Sequence, residues 1–427
     1  MNTIVALQPA WLREGAASFL ARYEGLRARL PGDTAVREAG AAAFRARGLP
    51  GVRDEAWHYT SLRPLAETRF AEPLTAIAAC DRLMARLPAI DAPRLVFVDG
   101  RYRDDLSVVP GAVAVRVGGP AYGSLAQPER DNMVALNTML TGDGAAIEVA
   151  AGADGGTLLL VSLGSGGTAE RPIAFHPRHA LHLGRAARLA LIEVAIGEGV
   201  YLHNPVLEAT LEEGAVLTHL RLQDESRAAF HLATLYADIA AGASYDGFTL
   251  AVGARLGRLE VHARLAGRGA AAHVNAAQLL GGRQHGDVTS VITHDAPACI
   301  SRQTVKNVLS GHARGVFQGR IAVARDAQKT DGYQMNQALL LSPDAEVDSK
   351  PELQIHADDV KCSHGATVGE LDAEQLFYLR SRGIAATDAR AMLVRAFLGG
   401  ALEPIAHEAG RRALEAAIDQ WWESEAA

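Results

Sequence analysis

Cysteine is scarce in this 427-residue chain: only Cys80, Cys299 and Cys362, widely spaced. That count argues against a disulfide framework and fits a reducing compartment. No C-x-x-C occurs, so the common zinc and redox spacings are missing. Aromatic residues make up 5%, too few for a core built on large anchors. There is no run of 18 apolar residues to read as a membrane-spanning helix. Net charge is −7 without a long basic run, which argues against nucleic acid as a partner. The opening MNTIVALQPAWLREGAASFL has no basic segment followed by a clean apolar core, so no signal peptide is expected and the location reads as cytoplasmic. No G-x-x-x-x-G-K-[ST] is present, and the Gly-rich AGRGAAAHV and LGSGGTAE lack the strand-to-helix setting of a phosphate loop. An ATPase site is therefore not expected.

Apolar residues are plentiful at 48%, and glycine and alanine are abundant, which suits small-residue packing in repeated layers. Residues 1–90 read as an N-terminal helical region. Leu12, Phe19, Leu20, Tyr23, Leu26 and Leu30 recur at helical spacing until Pro31–Gly32. A second helix is predicted from Thr34 to Arg47, capped by Asp33 or Thr34. In RDEAWHYTSLRPL, Trp57 and Tyr59 read as a structural anchor between the helical region and the rest of the chain.

The period then changes. LVFVDGRYRDDLS reads as a strand, an Asp99–Gly100 turn and a return strand, while Ser107 to Asn137 gives mixed signals. From about 155 to 365 short strands succeed one another, among them TLLLVSL, ARLALIEVAI, AVLTHLRL and DVTSVITH. In RLEVHARL, Leu259, Val261, Ala263 and Leu265 take one face, and Arg258, Glu260, His262 and Arg264 the other. Gly214, Gly242 and Gly269 stand 28 and 27 residues apart in loosely similar segments. Strands at a fixed interval without intervening helices suggest a β-solenoid, with a sandwich as the rival from pattern alone. After Gly369 the helical period returns. Asp372 and Gln375 form a capping box, Leu371 and Leu376 a hydrophobic staple, and Gly383 a stop. Thr387 is predicted to cap a second helix ended by Gly399–Gly400. A third runs from about Pro404 to Trp422, with Leu414, Ile418, Trp421 and Trp422 on its apolar side. The reading is a mainly β chain in three regions: 1–90, 91–369 (least regular over 91–155) and 370–427.

Chemistry concentrates at Cys362 and His364, which share a face of an extended segment with Val360. A thiol and an imidazole there could bind a soft or borderline metal, or form a nucleophile and base. Two ligands do not close a metal site, so others would come from elsewhere or from another chain. A small buried cysteine beside a hydrogen-bonded histidine is the plain alternative. His285, His294, His312 and His356, with Cys299, could be stacked together, though fifteen histidines make coincidence easy. Asp326, Lys329 and Asp331 read as a solenoid turn rather than acid–base machinery, as does Asp358–Asp359.

The stretch AQKTDGYQMNQALLLSPDAEVDSKPELQIHADDVKCSHGATVG, followed by LFYLRSRGI, resembles the carboxy-terminal signature of SufD-type proteins of the SufB/SufD family. These are subunits of the Suf iron–sulfur cluster assembly scaffold. The Trp57–His58–Tyr59–Thr60 element resembles their amino-terminal region. The resemblance implies a right-handed parallel β-helix core flanked by N-terminal and C-terminal α-helical regions, and a non-enzymatic scaffold subunit. It implies pairing with SufB through the β-helix and docking of the ATPase SufC on the C-terminal helices, where Met392, Val394 and Phe397 are candidate contacts. By the same resemblance, His364 and its neighbour Cys362 sit at the SufB–SufD interface, where an iron–sulfur cluster is transiently shared. Flavin binding in the complex and a homodimer of the isolated chain stay open. Two other readings are a SufB-like homodimeric scaffold and a β-helix carbohydrate-active enzyme. Cys80 alone does not match the amino-terminal cysteine cluster typical of SufB, and neither export signal nor acid–base pair supports the enzyme.

Overall fold

The structure, a computed structural model, describes residues 8–73 and 77–426. Its body is a parallel β-solenoid of about seven turns with helices at both termini. Each coil contributes one strand to each of two facing sheets. The ten-stranded sheet runs in the order Arg101–Tyr102, Arg94–Val98, Asp154–Gly164, Arg188–Gly197, Val216–Asp224, Ser244–Ala251, Ala271–Leu280, Ile300–Leu309, Asp331–Leu340, Lys361–Gly369. The eleven-stranded sheet begins at Glu346–Ile355 and passes through Arg314–Val323, His285–His294, Leu256–Leu265, Phe230–Ile239, Val206–Leu211 and Arg178–Leu183 to Ala145–Val149 and Ala114–Val117. The short strands Ile173–Phe175 and Tyr201–His203 pair beside it. Pairing is parallel except at the N-terminal end, where Arg101–Tyr102 and Ala114–Val117 close the two sheets antiparallel.

Small side chains set the coil thickness. One inward column reads Leu181, Ala209, Ala237, Ala263, Ile292, Ile321, Leu353 in register. All but Leu353 are fully buried, and three alanines let the sheets approach where larger residues fill elsewhere. The turns at one corner also stack. Ala186, Gly214, Gly242, Gly269, Ala298 and Lys329 all have left-handed φ between 54° and 70°. The N–H of each reaches a carbonyl of the next coil, from Ala186 N to Glu213 O at 2.8 Å through Lys329 N to Asp359 O at 2.7 Å.

The N-terminal helices α1 (Ala10–Leu26) and α2 (Thr34–Arg47) lie against the eleven-stranded side; Asp33 caps α2 by accepting from Ala35 N at 2.7 Å. The short α3 (Arg63–Ala66) and α4 (Ile77–Met84) come next, then α5 (Asn132–Leu140), capped by Asp131. Every residue of α5 is buried, so it has no amphipathic period to read, and this explains the mixed signals before Asn137. Trp57 is buried as an anchor, with the Arg258 guanidinium 4.1 Å from its ring centroid. The expected outward face of Leu256–Leu265 is therefore not all solvated: Arg258 is buried under Trp57 and paired with Glu260 and Asp287.

At the C-terminus, Asp372 caps α6 (Ala373–Ser381) by accepting from Glu374 N and Gln375 N, and Gly383, at φ 85°, follows it. Helix α7 (Ala386–Leu402) differs from expectation. Ala385 is its N-cap, Thr387 lies inside the first turn, and Gly399–Gly400 are carried within the helix. Helix α8 (Glu408–Ala426) starts beyond Pro404. Val394, Leu398, Leu414, Ile418 and Trp421 seat α7 and α8 on the outer face of the ten-stranded sheet, against Leu220, Leu250 and Leu279.

The corner turns give a direct test. A Cβ on Gly242 would meet nothing within 4 Å, so Gly242→Ala should cost about 1 kcal/mol through backbone strain alone. Ala298→Gly, in the equivalent turn, should be neutral or stabilising. Urea midpoints of the two variants check both signs, and equal destabilisation by both would refute the shared conformation.

Candidate functional site

The two ends of the solenoid differ. Antiparallel strands close the N-terminal end. At the other end Glu346–Ile355 and Lys361–Gly369 are the last strands of their sheets, and no described strand pairs with their outer edges. Pro351 lies within the first of these, a residue that sheets tolerate at an edge. Val368 and Ile355 are exposed on this coil. Unpaired edges of this length are normally covered or blunted.

Cys362 and His364 sit on the last strand, opposite Gly332 and Gln334. Both of those positions face inward and are buried. A Cβ placed on Gly332 would lie 3.4 Å from the Cys362 sulfur, so Cys362 points into the mouth of the lumen. Strand alternation puts His364 on the same side. Cys362 is half-buried against the cluster of Ile321, Val323, Ala327 and Ala357, whereas His364 is exposed. Burial pushes the Cys362 thiol up, with Asp331 adding to it against a backbone hydrogen bond at Gly332. At neutral pH it is a thiol, and a metal would have to displace its proton.

One file of side chains in the lumen behind this rim is polar. Gln278 donates to Asn307 Oδ1 and Asn307 to Asn336 Oδ1, each at 2.8 Å. The Asn336 amide nitrogen then has no acceptor, and its register partner on the last strand is Ala366. The side-chain ladder, like the backbone ladder, is unfinished at this end.

Other candidates separate. His285 bonds Thr60 Oγ1 at 2.9 Å at one end of its strand, and His294 bonds Ser301 Oγ at 2.9 Å at the other. His312 and His356 are exposed, and Cys299 is buried with its thiol directed at Gly267 O. Stacking does not bring these five together. Lys329 occupies a left-handed turn and pairs with Asp359, in keeping with turn chemistry. Met392 is exposed, Val394 is buried, and Phe397 is half-buried beside Lys306, so these three do not form one outward face. Sequence reading missed His203, Glu225 and His231, which converge inside the solenoid. The 28-residue interval between the two histidines matches the coil length and was the available signal.

Among the described residues, then, the chain is a parallel solenoid whose C-terminal rim carries a thiol and an imidazole. A family model described as "SUF system FeS cluster assembly, SufBD core domain" matches residues 166–397. The chain is 33% identical over 378 residues to the iron-sulfur cluster assembly protein SufD of Escherichia coli, covering 87% of this chain and 89% of that one. It is 31% identical to an iron-sulfur cluster assembly SufBD family protein of Synechocystis, covering 85% of this chain and 86% of that one. Protein ABCI7, chloroplastic, of Arabidopsis thaliana is 30% identical, covering 85% of this chain and 80% of that one. The chain belongs to the SufBD family.

The rim chemistry predicts a labelling order. Alkylation of the native protein should modify Cys362 before the buried Cys80 and Cys299, with a rate still rising past pH 9.0 because the thiol is shifted upward. Mass spectrometry against pH checks this; a Cys362 rate already at its plateau at neutral pH would contradict it.

Proposed function

We propose that this chain is a cytoplasmic, non-catalytic scaffold subunit for iron–sulfur cluster assembly, working as regions 1–90, 91–369 and 370–427. Its open rim receives SufB. The observation that carries this reading is the pair of adjacent unpaired strand edges bearing Cys362 and His364. A second β-helix docking there would continue both sheets and cover the exposed backbone. His364 would face the join as an imidazole ligand, and Cys362 beside it as a thiol deprotonated by incoming iron. A site divided between two chains, with few ligands from each, suits a cluster that must later leave. Among the described residues no helix is long and apolar enough to cross a membrane.

SufC docking on the C-terminal helices has its own support. Helix α6 has no buried residue, and Phe377 and Tyr378 stand exposed on it, with Met392 exposed on α7. These three are better contacts than Val394 and Phe397, which pack inward or against Lys306.

Co-expression with SufB and SufC, followed by anaerobic cluster reconstitution, tests the reading. His364→Ala should leave the complex intact by size yet lose most of the cluster absorbance. Phe377→Glu with Tyr378→Glu should release SufC while SufB stays bound. Full cluster assembly on the His364→Ala complex would overturn the assigned site, and a chain that pairs only with itself would favour a homodimeric scaffold.

A further inference from the structure

His203 and His231 are register partners on neighbouring coils, where Tyr201–His203 pairs with Phe230–Ile239. Glu225 reaches them from the turn between Val216–Asp224 and Phe230–Ile239, whose tip at Arg227 and Ala228 is exposed. All three side chains are buried, and their ligand atoms lie within 4.8 Å of one another. The two Nδ1 atoms are 3.2 Å apart. Glu225 Oε1 lies 3.0 Å from His203 Nδ1, and Oε2 lies 2.6 Å from His231 Nδ1. Around a tetrahedral ion with ligands at about 2.0–2.1 Å, neighbouring donors are about 3.3–3.4 Å apart. The two imidazoles stand close to that spacing, while the Glu225 oxygens sit nearer, at hydrogen-bond distance, and would draw back to admit an ion.

The two Nδ1 atoms face the Glu225 carboxylate and each other, so a cation between them would meet all three side chains through atoms already turned inward. Gln223 donates to Glu225 Oε2 at 3.1 Å, the kind of outer contact that orients a ligating carboxylate. His203 and His231 also line a cavity of about 50 Å³, enough for a water as a further ligand. The residue beyond His231 in the ladder is Gly257, which lines the same cavity and has no side chain to fill it.

We propose that His203, Glu225 and His231 form a binding site for a first-row divalent transition ion of the zinc or ferrous class, completed by water from the cavity. The site is separate from the open rim. Along the ladder, His231 is followed by Gly257, Gly286, Gly315 and finally Val347 on the edge strand, about 19 Å at the spacing of neighbouring strands. A bound ion would tie the 225–229 turn and the short strand Tyr201–His203 to the body of the solenoid.

The full chain, stripped by a chelator and titrated with Co(II), tests this. The wild type should take up one equivalent with visible ligand-field bands, and its melting temperature should rise. A Cys362→Ser, His364→Ala double variant should bind Co(II) equally well. Glu225→Gln and His231→Ala should bind about 100-fold more weakly or worse and lose the thermal shift. If those variants fail to fold, X-ray absorption on Co(II)-loaded wild type decides, since imidazole scattering is required. Overturning results are no uptake by the wild type, tight binding by folded Glu225→Gln, or a bound ion without imidazole ligands.

Discussion

Every backbone N–H and C=O in a parallel ladder needs a partner on the next coil, and a solenoid runs out of coils at its ends. That constraint organises this molecule. At the N-terminal end the chain folds back, and Arg101–Tyr102 and Ala114–Val117 finish the two sheets antiparallel. At the C-terminal end the chain leaves into α6 with both last strands still presenting an edge. The asymmetry gives the solenoid a direction, and Cys362 and His364 stand at the unfinished end.

Between the ends, stability comes from repetition. Columns of small and branched residues hold the sheets together, and the left-handed corner turns hand one hydrogen bond to each successive coil. The helices protect the outer faces. Trp57 and α5 help cover the eleven-stranded sheet, burying Arg258 with its acidic partners, and α7 and α8 cover the ten-stranded sheet. Buried ion pairs such as Arg178 with Glu208, at 2.5 Å, also fix the loop before α5, because Glu208 accepts from Gly123 N, Leu125 N and Ala126 N. Breaking one partner of such a pair leaves a buried charge, which is far more costly than losing a surface salt bridge.

The solenoid was legible because its signals repeat. Gly214, Gly242 and Gly269 marked three corner turns, but Ala186, Ala298 and Lys329 adopt the same conformation without announcing it. Their coil neighbours over-determine the turn, and composition cannot reveal that. Alternation placed Leu259, Val261, Ala263 and Leu265 inward correctly. It misjudged Arg258, whose burial depends on Trp57, a residue far earlier in the chain. Local capping rules located Asp33 and Asp372, where a side chain makes the cap, and failed at α7, where Ala385 caps with backbone alone. Glycines 399 and 400 did not stop that helix, because packing of Leu398, Ala401 and Leu402 against the sheet outweighs their propensity. The rim pair was visible as a two-residue spacing in an extended segment. The His203, Glu225 and His231 cluster was not, since coil stacking alone brings its members together.

The central claim is that the open edges of the last coil are completed by another chain. Hydrogen exchange of residues 346–355 and 361–369, measured on the free protein and on its complex with SufB, tests it most directly. The account predicts rapid exchange of the outward-facing amides in the free chain and strong protection in the complex, with the antiparallel N-terminal end unchanged. Exchange at both strands that is identical in the two states would contradict it.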